Sequence, residues 1–214
     1  MKPLSHSARR VPFRLPLAAA ALAVVAAFAV VACQRLEYVS MKPLEEAGFH
    51  YSSIQQLEPL DLNKAEVAEL VKAVKGGVGE ATCILLIHVS RGQKTRFAEG
   101  DAAAALHAAR IADPTIVELA QLRQLGAWSG EAAAIRLTGT SDQVILAVAK
   151  QRAAGQPVPS GASLAKMKDA GVSEATIIEL IGRGISDSDA AGVEWRKKRG
   201  WKDEQILHDY PPKS

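Results

Sequence analysis

The feature that most constrains the fold is an internal repeat. Residues 69–87 (ELVKAVKGGVGEATCILLI) and residues 163–181 (SLAKMKDAGVSEATIIELI) are identical at 9 of 19 positions without a gap. Weaker copies of the same pattern place turns at positions 48, 77, 110, 139, 171 and 200, spaced by 29, 33, 29, 32 and 29 residues. A regular period of this length is typical of proteins that stack one small structural unit many times.

Each unit has the same order of residue types around its turn. A helix is predicted to end at a glycine, because glycine adopts the left-handed backbone of a helix C-terminus at little cost. An apolar residue follows, then a Ser or acid that is expected to cap the next helix, then an Ile and Leu stripe. The structural turn glycines are Gly48, Gly77, Gly139, Gly171 and Gly200. Arg110 replaces glycine in the third copy. The expected caps are Ser141, Ser173 and Asp113, and Asp113 is followed by Pro114 at the first helical position.

A second set of breaks divides each unit into two helices of roughly 8–13 residues, which gives about a dozen helices in all. These breaks are predicted at Asp61/Asn63, Gly92, Gly126, Gly155 and Gly184. No segment alternates polar and apolar residues as a strand does. The predicted fold class is therefore all-α, with short helical-hairpin repeats of about 30 residues in an α-solenoid-like stack. A compact helical bundle with accidental periodicity is the alternative.

The N-terminal segment has the composition of an export signal. Residues 1–14 are basic without an acid, and an apolar run from Leu15 to Ala32 precedes Cys33. The sequence Val30-Val31-Ala32-Cys33 resembles the lipobox of bacterial lipoproteins. That resemblance implies cleavage before Cys33, acylation of Cys33 and, with Gln34 next, an outer-membrane location facing the periplasm. An uncleaved anchor helix is the alternative. We thus expect a signal peptide over 1–32, a short tether over 33–40 and one repeat domain over 41–214.

Charge and cysteine content narrow the function classes. The chain has 26 basic and 23 acidic residues, and without residues 1–32 it has 22 and 23. The domain therefore has no net positive charge that would draw nucleic acid. Cys83 would be the single cysteine left beside a lipidated Cys33, so no disulfide framework is expected, and its place on the apolar stripe predicts a small buried side chain.

The segment VKGGVGEAT, residues 74–82, resembles the phosphate-binding loop of deviant-Walker ATPases. Such a loop needs a preceding strand, a lysine and a hydroxyl residue. Here the preceding residues are typical of an amphipathic helix, Glu80 stands at the lysine position and Ala81 at the hydroxyl position. We therefore interpret the glycines as architectural and predict no nucleotide.

Other candidate chemistry is sparse. None of His50, His88, His107 and His208 lies at a metal-ligand spacing, so no metal or other cofactor is expected. Glu80 and Glu174 occupy the same position of the repeat, which favours a helix-terminal role. The sequence leaves open that one of them is the acid of an enzyme acting on cell-wall glycan.

The most distinctive surface segment is basic and flanked by tryptophans. We predict that it binds a partner through Trp195, Arg196, Lys197, Lys198, Arg199, Trp201 and Lys202, and a weaker basic segment covers residues 91–97. Its alternatives are attachment to an anionic envelope surface or a merely solvated terminal repeat. The leading functional hypothesis is a non-enzymatic, lipid-anchored scaffold of the bacterial envelope that binds a protein or peptide. The partner and the oligomeric state are left open.

Overall fold

The computed structural model describes residues 39–212, which form twelve α-helices and one 3-10 helix and contain no strand. The predicted signal peptide, the predicted lipidation site Cys33 and the tether residues up to 38 lie outside the described residues. The helices are α1 Lys42–Glu46, α2 Tyr51–Leu57, α3 Lys64–Lys75, α4 Glu80–Gly92, α5 Gly100–Ala108, α6 Asp113–Gln121, α7 Leu125–Leu137, α8 Asp142–Ala153, α9 Gly161–Asp169, α10 Glu174–Gly182, α11 Asp187–Lys198 and α12 Asp203–Asp209; the 3-10 helix is Glu58–Leu60.

The helices pack in two layers. Odd-numbered helices contact one another in chain order from α1 to α11, and even-numbered helices do the same from α2 to α12. The two helices of each hairpin also contact each other. Each hairpin thus packs mainly on the hairpins before and after it, which is the arrangement of a helical-repeat stack. The predictions of an all-α fold and of α-solenoid-like hairpin repeats are confirmed.

The core follows the same repeat. The sixth residue after each hairpin turn is almost fully buried in all six repeats: Ile54, Cys83, Ile116, Ile145, Ile177 and Ile206. On the odd helices, the fourth residue before the turn is equally buried in the first five repeats: Leu44, Ala73, Leu106, Ile135 and Met167. These side chains join one hydrophobic cluster that extends from the first repeat to the last.

All six predicted hairpin turns have a left-handed residue. The φ angles are 102° at Gly48, 95° at Gly77, 62° at Arg110, 77° at Gly139, 89° at Gly171 and 86° at Gly200. In five turns the two backbone hydrogen bonds of a Schellman motif close the helix, as from Val78 N–H to the Ala73 carbonyl at 3.1 Å. In the fourth turn the Thr140 hydroxyl binds the Ile135 carbonyl at 2.6 Å instead.

The breaks between repeats are only partly as predicted. Asp61, Gly155 and Gly184 have positive φ angles, and Asn63 forms the expected capping box with Glu66. The break predicted at Gly92 is confirmed, because α4 ends at this residue, whereas the break predicted at Gly126 is wrong, because Gly126 lies inside α7. The left-handed residues there are Lys94 (φ 57°) and Arg123 (φ 58°). Backbone hydrogen bonds fix both turns, and the side chains are exposed to solvent.

Replacing Arg110 with glycine should stabilise the protein. Arg110 holds a left-handed backbone, its side chain is exposed, and glycine removes the steric penalty of about 1 kcal/mol. Urea unfolding should show a higher free energy of unfolding for Arg110→Gly. Gly171→Ala should lower it by a similar amount, because it adds a side chain to the same backbone conformation. A destabilised Arg110→Gly variant would contradict this interpretation of the turn.

Candidate functional site

Acidic residues at the start of the even helices connect neighbouring repeats. Each carboxylate accepts a hydrogen bond from the backbone N–H just before the even helix of the preceding repeat. The pairs are Glu80 with His50, Asp113 with Gly79, Asp142 with Ala112, Glu174 with Ser141 and Asp203 with Ser173, at 2.8–3.2 Å. Amides at a helix start lack intrahelical partners, so each acid caps a helix of the neighbouring repeat. We call these five acids the carboxylate ladder.

Threonine hydroxyls strengthen three rungs of the carboxylate ladder. Thr82 donates to Asp113 at 2.8 Å, Thr115 to Asp142 at 3.0 Å and Thr176 to Asp203 at 2.9 Å. Burial alone would raise the pKa of Asp113, but hydrogen bonds from the Gly79 N–H, Thr82 and His107 outweigh it and lower this pKa. Asp113 is therefore ionised at neutral pH, as a capping acid must be.

The capping roles differ in part from those predicted. Ser173 does cap its own helix, accepting from the Thr176 N–H. Ser141 stands at the cap position of α8, yet its hydroxyl has no hydrogen-bond partner among the described residues. The prediction for Asp113 is wrong by one residue: it is the first residue of α6 and Pro114 the second. Its carboxylate acts on the preceding repeat, which local spacing does not reveal.

Removing one rung should destabilise the stack more than removing a free acid. Asp113→Ala leaves the Gly79 N–H and the Thr82 hydroxyl without their acceptor, and should lower the free energy of unfolding by about 1–2 kcal/mol. Glu204→Ala is the matched control, since Glu204 is exposed in the first turn of α12. It should change stability by less than about 0.5 kcal/mol. Equal losses in urea unfolding would show that the contact between repeats contributes nothing.

The glycines of the VKGGVGEAT segment lie against the next repeat. A Cβ on Gly76 would stand 2.3 Å from the Cβ of Ala104, and one on Gly77 would stand 2.9 Å from the His107 ring. Glu80, at the position of a phosphate-binding lysine, is a rung of the carboxylate ladder. The segment ends α3, turns, and lets α5 approach closely. Its structure thus agrees with the architectural interpretation.

Glu66 is a buried acid that sequence reasoning did not select. Its side chain is fully buried and pairs with Arg91 at 2.5 Å and with Arg96 at 2.9 Å. The N–H groups of Asn63 and Phe97 also donate to it. Arg91 in turn donates to the carbonyl of Leu60 at 3.0 Å, so this centre connects the start of α3 to the loop before it and to the loop between α4 and α5.

The pKa of Glu66 reflects this surrounding. Burial alone would raise it, but the hydrogen bonds from Arg91, the Asn63 and Phe97 N–H groups and Arg96 outweigh burial and lower the pKa to about 2. A carboxylate with a lowered folded-state pKa stabilises the fold fully above its unfolded value, near 4.5. That contribution is lost progressively as the pH falls towards 2.

The Glu66→Gln variant should therefore lose much of the acid sensitivity of the wild type between pH 4.5 and 2. At pH 7 it should be less stable by about 3 kcal/mol, because it leaves two arginines beside a neutral amide. Thermal unfolding measured from pH 2 to pH 7 gives both the acid sensitivity and the loss of stability at pH 7. Parallel pH profiles for wild type and variant would contradict the pKa assigned to Glu66.

The basic segment at the end of α11 is largely neutralised by its own domain. Arg196 pairs with Asp209 at 2.8 Å, Lys197 with Asp203 at 2.5 Å and Lys198 with Glu194 at 2.5 Å. Three of the five predicted cations thus have carboxylate partners within the domain.

The other residues of that segment divide between core and surface. Trp201 is partly buried against the core, with the Arg196 guanidinium 5.5 Å from its ring centroid. Trp195 is 52 % exposed, and the Arg199 guanidinium stacks on it at 3.9 Å. Lys202 is exposed. The outward determinants are therefore Trp195, Arg199 and Lys202.

The cysteine and two of the histidines considered in the sequence have contacts that belong to the fold. Cys83 is fully buried, as expected, and burial raises the pKa of its thiol to about 12. His50 and His107 contact ladder acids through Nδ1, at 2.6 Å to Glu80 and 2.9 Å to Asp113. Within residues 39–212, no group of three or more His, Cys, Asp or Glu side chains is arranged to hold a metal ion.

Two adjoining clefts lie beside the inter-repeat loops, and sequence reasoning missed them. The first has a volume of about 170 Å³ and is bordered by Val89, Phe97, Leu125, Gln93, Glu99 and Arg123. The second is bordered by Leu60, Asp61, Arg91, Lys94 and Arg96, and Thr95 borders both. We call the two together the edge groove. The signal available in the sequence was the long loop at 93–99.

Comparison with known proteins found no matching family model, curated protein or solved structure. In the part of the chain that the structure describes, no helix has the length and apolar character needed to cross a bilayer.

Proposed function

We propose that the protein is a lipid-anchored scaffold of the bacterial envelope that binds a protein or peptide partner on its stacked hairpins. The lipobox-like sequence ending at Cys33 supports the anchor. With Gln34 after this cysteine, the outer membrane facing the periplasm is the proposed location. The repeat stack supports the scaffold, because stacked repeats present extended surfaces for binding.

One observation carries the scaffold proposal: the outward side of the even helices is mostly uncharged from α4 to α10. The exposed and half-exposed residues there include Ala81, Leu85, Pro114, Gln143, Leu146, Ala147, Ala175 and Ile178. Leu85 is 49 % exposed. The carboxylates on this side are paired, Glu118 with Lys150 and Glu179 with Arg183. Exposed aliphatic side chains such as Leu85 on a mostly uncharged side of the stack favour an interaction site.

A pair of leucine substitutions tests this surface. A photo-crosslinking amino acid at Gln143 in full-length protein, expressed in bacterial cells, should capture a partner. Leu85→Asp should reduce this capture at least tenfold, because it puts a charge on the apolar face. Leu137→Asp is the matched control on the odd layer, where Leu137 is 80 % exposed, and should leave capture unchanged. Equal capture by the Leu85→Asp and Leu137→Asp variants, or no protein captured by the wild type, would overturn the proposal.

Fatty-acid labelling tests the anchor separately. The protein should incorporate an alkyne fatty acid, and Cys33→Ala should abolish the label, since acylation requires this thiol. Cys83→Ala should keep the label, because Cys83 is buried in α4. Label that persists in Cys33→Ala would contradict acylation at that residue.

Attachment to an anionic surface through the end of α11 is a second candidate. The stacked pair of Trp195 and Arg199 favours it, because it presents an aromatic face and a cation together. It predicts salt-sensitive binding to anionic vesicles that is lost when Arg199 and Lys202 become serine. For a glycan-acting enzyme, Glu80 is poorly suited as the acid: interactions with Ser53 and His50 outweigh burial and lower the pKa of Glu80, whereas a general acid needs a raised one.

A further inference from the structure

The edge groove is formed where the chain passes from one repeat to the next. Its first cleft has an apolar floor, with Phe97 and Leu125 both almost fully buried. The Gln93 amide donates to the carbonyls of Ala120 and Gln121, at 2.9 and 3.1 Å. Both of its N–H groups are thereby used, and the Gln93 carbonyl oxygen is the part of this side chain available to accept a new hydrogen bond.

The turns along the edge groove contain charged residues at positions that favour glycine. Asp61, Lys94 and Arg123 have φ angles of 48°, 57° and 58°. The equivalent turns of the later repeats have Gly155 and Gly184, with φ angles of 70° and 72°. A long side chain in this conformation costs free energy that glycine avoids. Strained residues of this kind are often retained at binding sites, where the side chain itself is required.

Two cations of the edge groove are not used by the fold. Arg91 and Arg96 are held by Glu66. The side chains of Lys94 and Arg123 form no ion pair and no hydrogen bond with any described residue. Two acids also border the groove: the Glu99 carboxylate accepts from the Ala98 N–H, and the Asp61 carboxylate lies 3.9 Å from the Arg96 guanidinium. Of the free cations, Arg123 borders the first cleft and Lys94 the second, and Thr95 borders both clefts.

We propose that the edge groove binds an extended acidic segment of a partner protein, with an apolar side chain in the first cleft and flanking carboxylates on Lys94 and Arg123. This inference rests on the scaffold function and specifies the partner's chemistry. A volume of about 170 Å³ accommodates a side chain such as leucine. Successive residues of an extended peptide are at most about 3.6 Å apart, so acids next to the leucine lie close to the rim of the cleft.

Peptide binding to the full-length protein in detergent tests this proposal. The probe is a fluorescein-labelled peptide, Gly-Asp-Asp-Leu-Asp-Asp-Gly, and fluorescence anisotropy should show saturable binding. The same peptide with asparagine for every aspartate should bind at least tenfold more weakly. Arg123→Gly and Lys94→Gly should each weaken binding of the acidic peptide at least fivefold. Both substitutions place glycine where the later repeats already have it.

Arg110→Gly is the matched control. It removes the same charge from a left-handed turn, but at a hairpin turn away from the edge groove. Its binding should equal that of the wild type. Absence of saturable binding, equal binding of the asparagine peptide, or equal losses in Arg110→Gly and Arg123→Gly would overturn the proposal. If groove variants bind normally while Leu85→Asp still abolishes capture in cells, the groove proposal fails and the scaffold function stands.

Discussion

The carboxylate ladder makes each repeat depend on the next one along the chain. The backbone N–H before an even helix needs an acceptor, and it is provided by an acid about 30 residues later, such as Asp113 for Gly79. The same bond holds the two even helices side by side, so that the residue that follows each hairpin turn packs against the neighbouring repeat. Helix capping and inter-repeat packing are thus one interaction. The Glu174 rung departs most from the others. Val144 stands there in place of a threonine, and the longer acid reaches the Ser141 N–H at 3.2 Å.

Much of the fold could be predicted because its strongest signals are local. A left-handed turn requires glycine at most positions, and the regular spacing identified Arg110 as a turn even without one. Gly126 misled because a helix tolerates glycine, so the residue type alone does not mark a break. The role of Asp113 depends on atoms in another repeat, and Glu66 depends on Arg91 and Arg96, which are 25 and 30 residues away. Such partners are not visible in local spacing.

Charge was the least predictable property of the candidate sites. The segment at the end of α11 has five cations in eight residues, but carboxylates at 194, 203 and 209 neutralise three of them. Two of those acids lie on the next helix, beyond the basic segment. In the edge groove, by contrast, the weaker basic segment at 91–97 contains one cation, Lys94, that no described acid neutralises. The number of basic residues in a segment was therefore a poorer guide to its available positive charge than the carboxylate partners of those residues.

The carboxylate ladder also has a direction, with every acid acting on the repeat before it. The first repeat has Tyr51 in place of the acid. In the last repeat, Gln205 accepts from the Lys202 N–H within the same helix. During synthesis a repeat therefore leaves the ribosome with one helix cap missing and acquires it only when the following hairpin has been made. Among the described repeats, the cap of each even helix thus trails synthesis by one repeat.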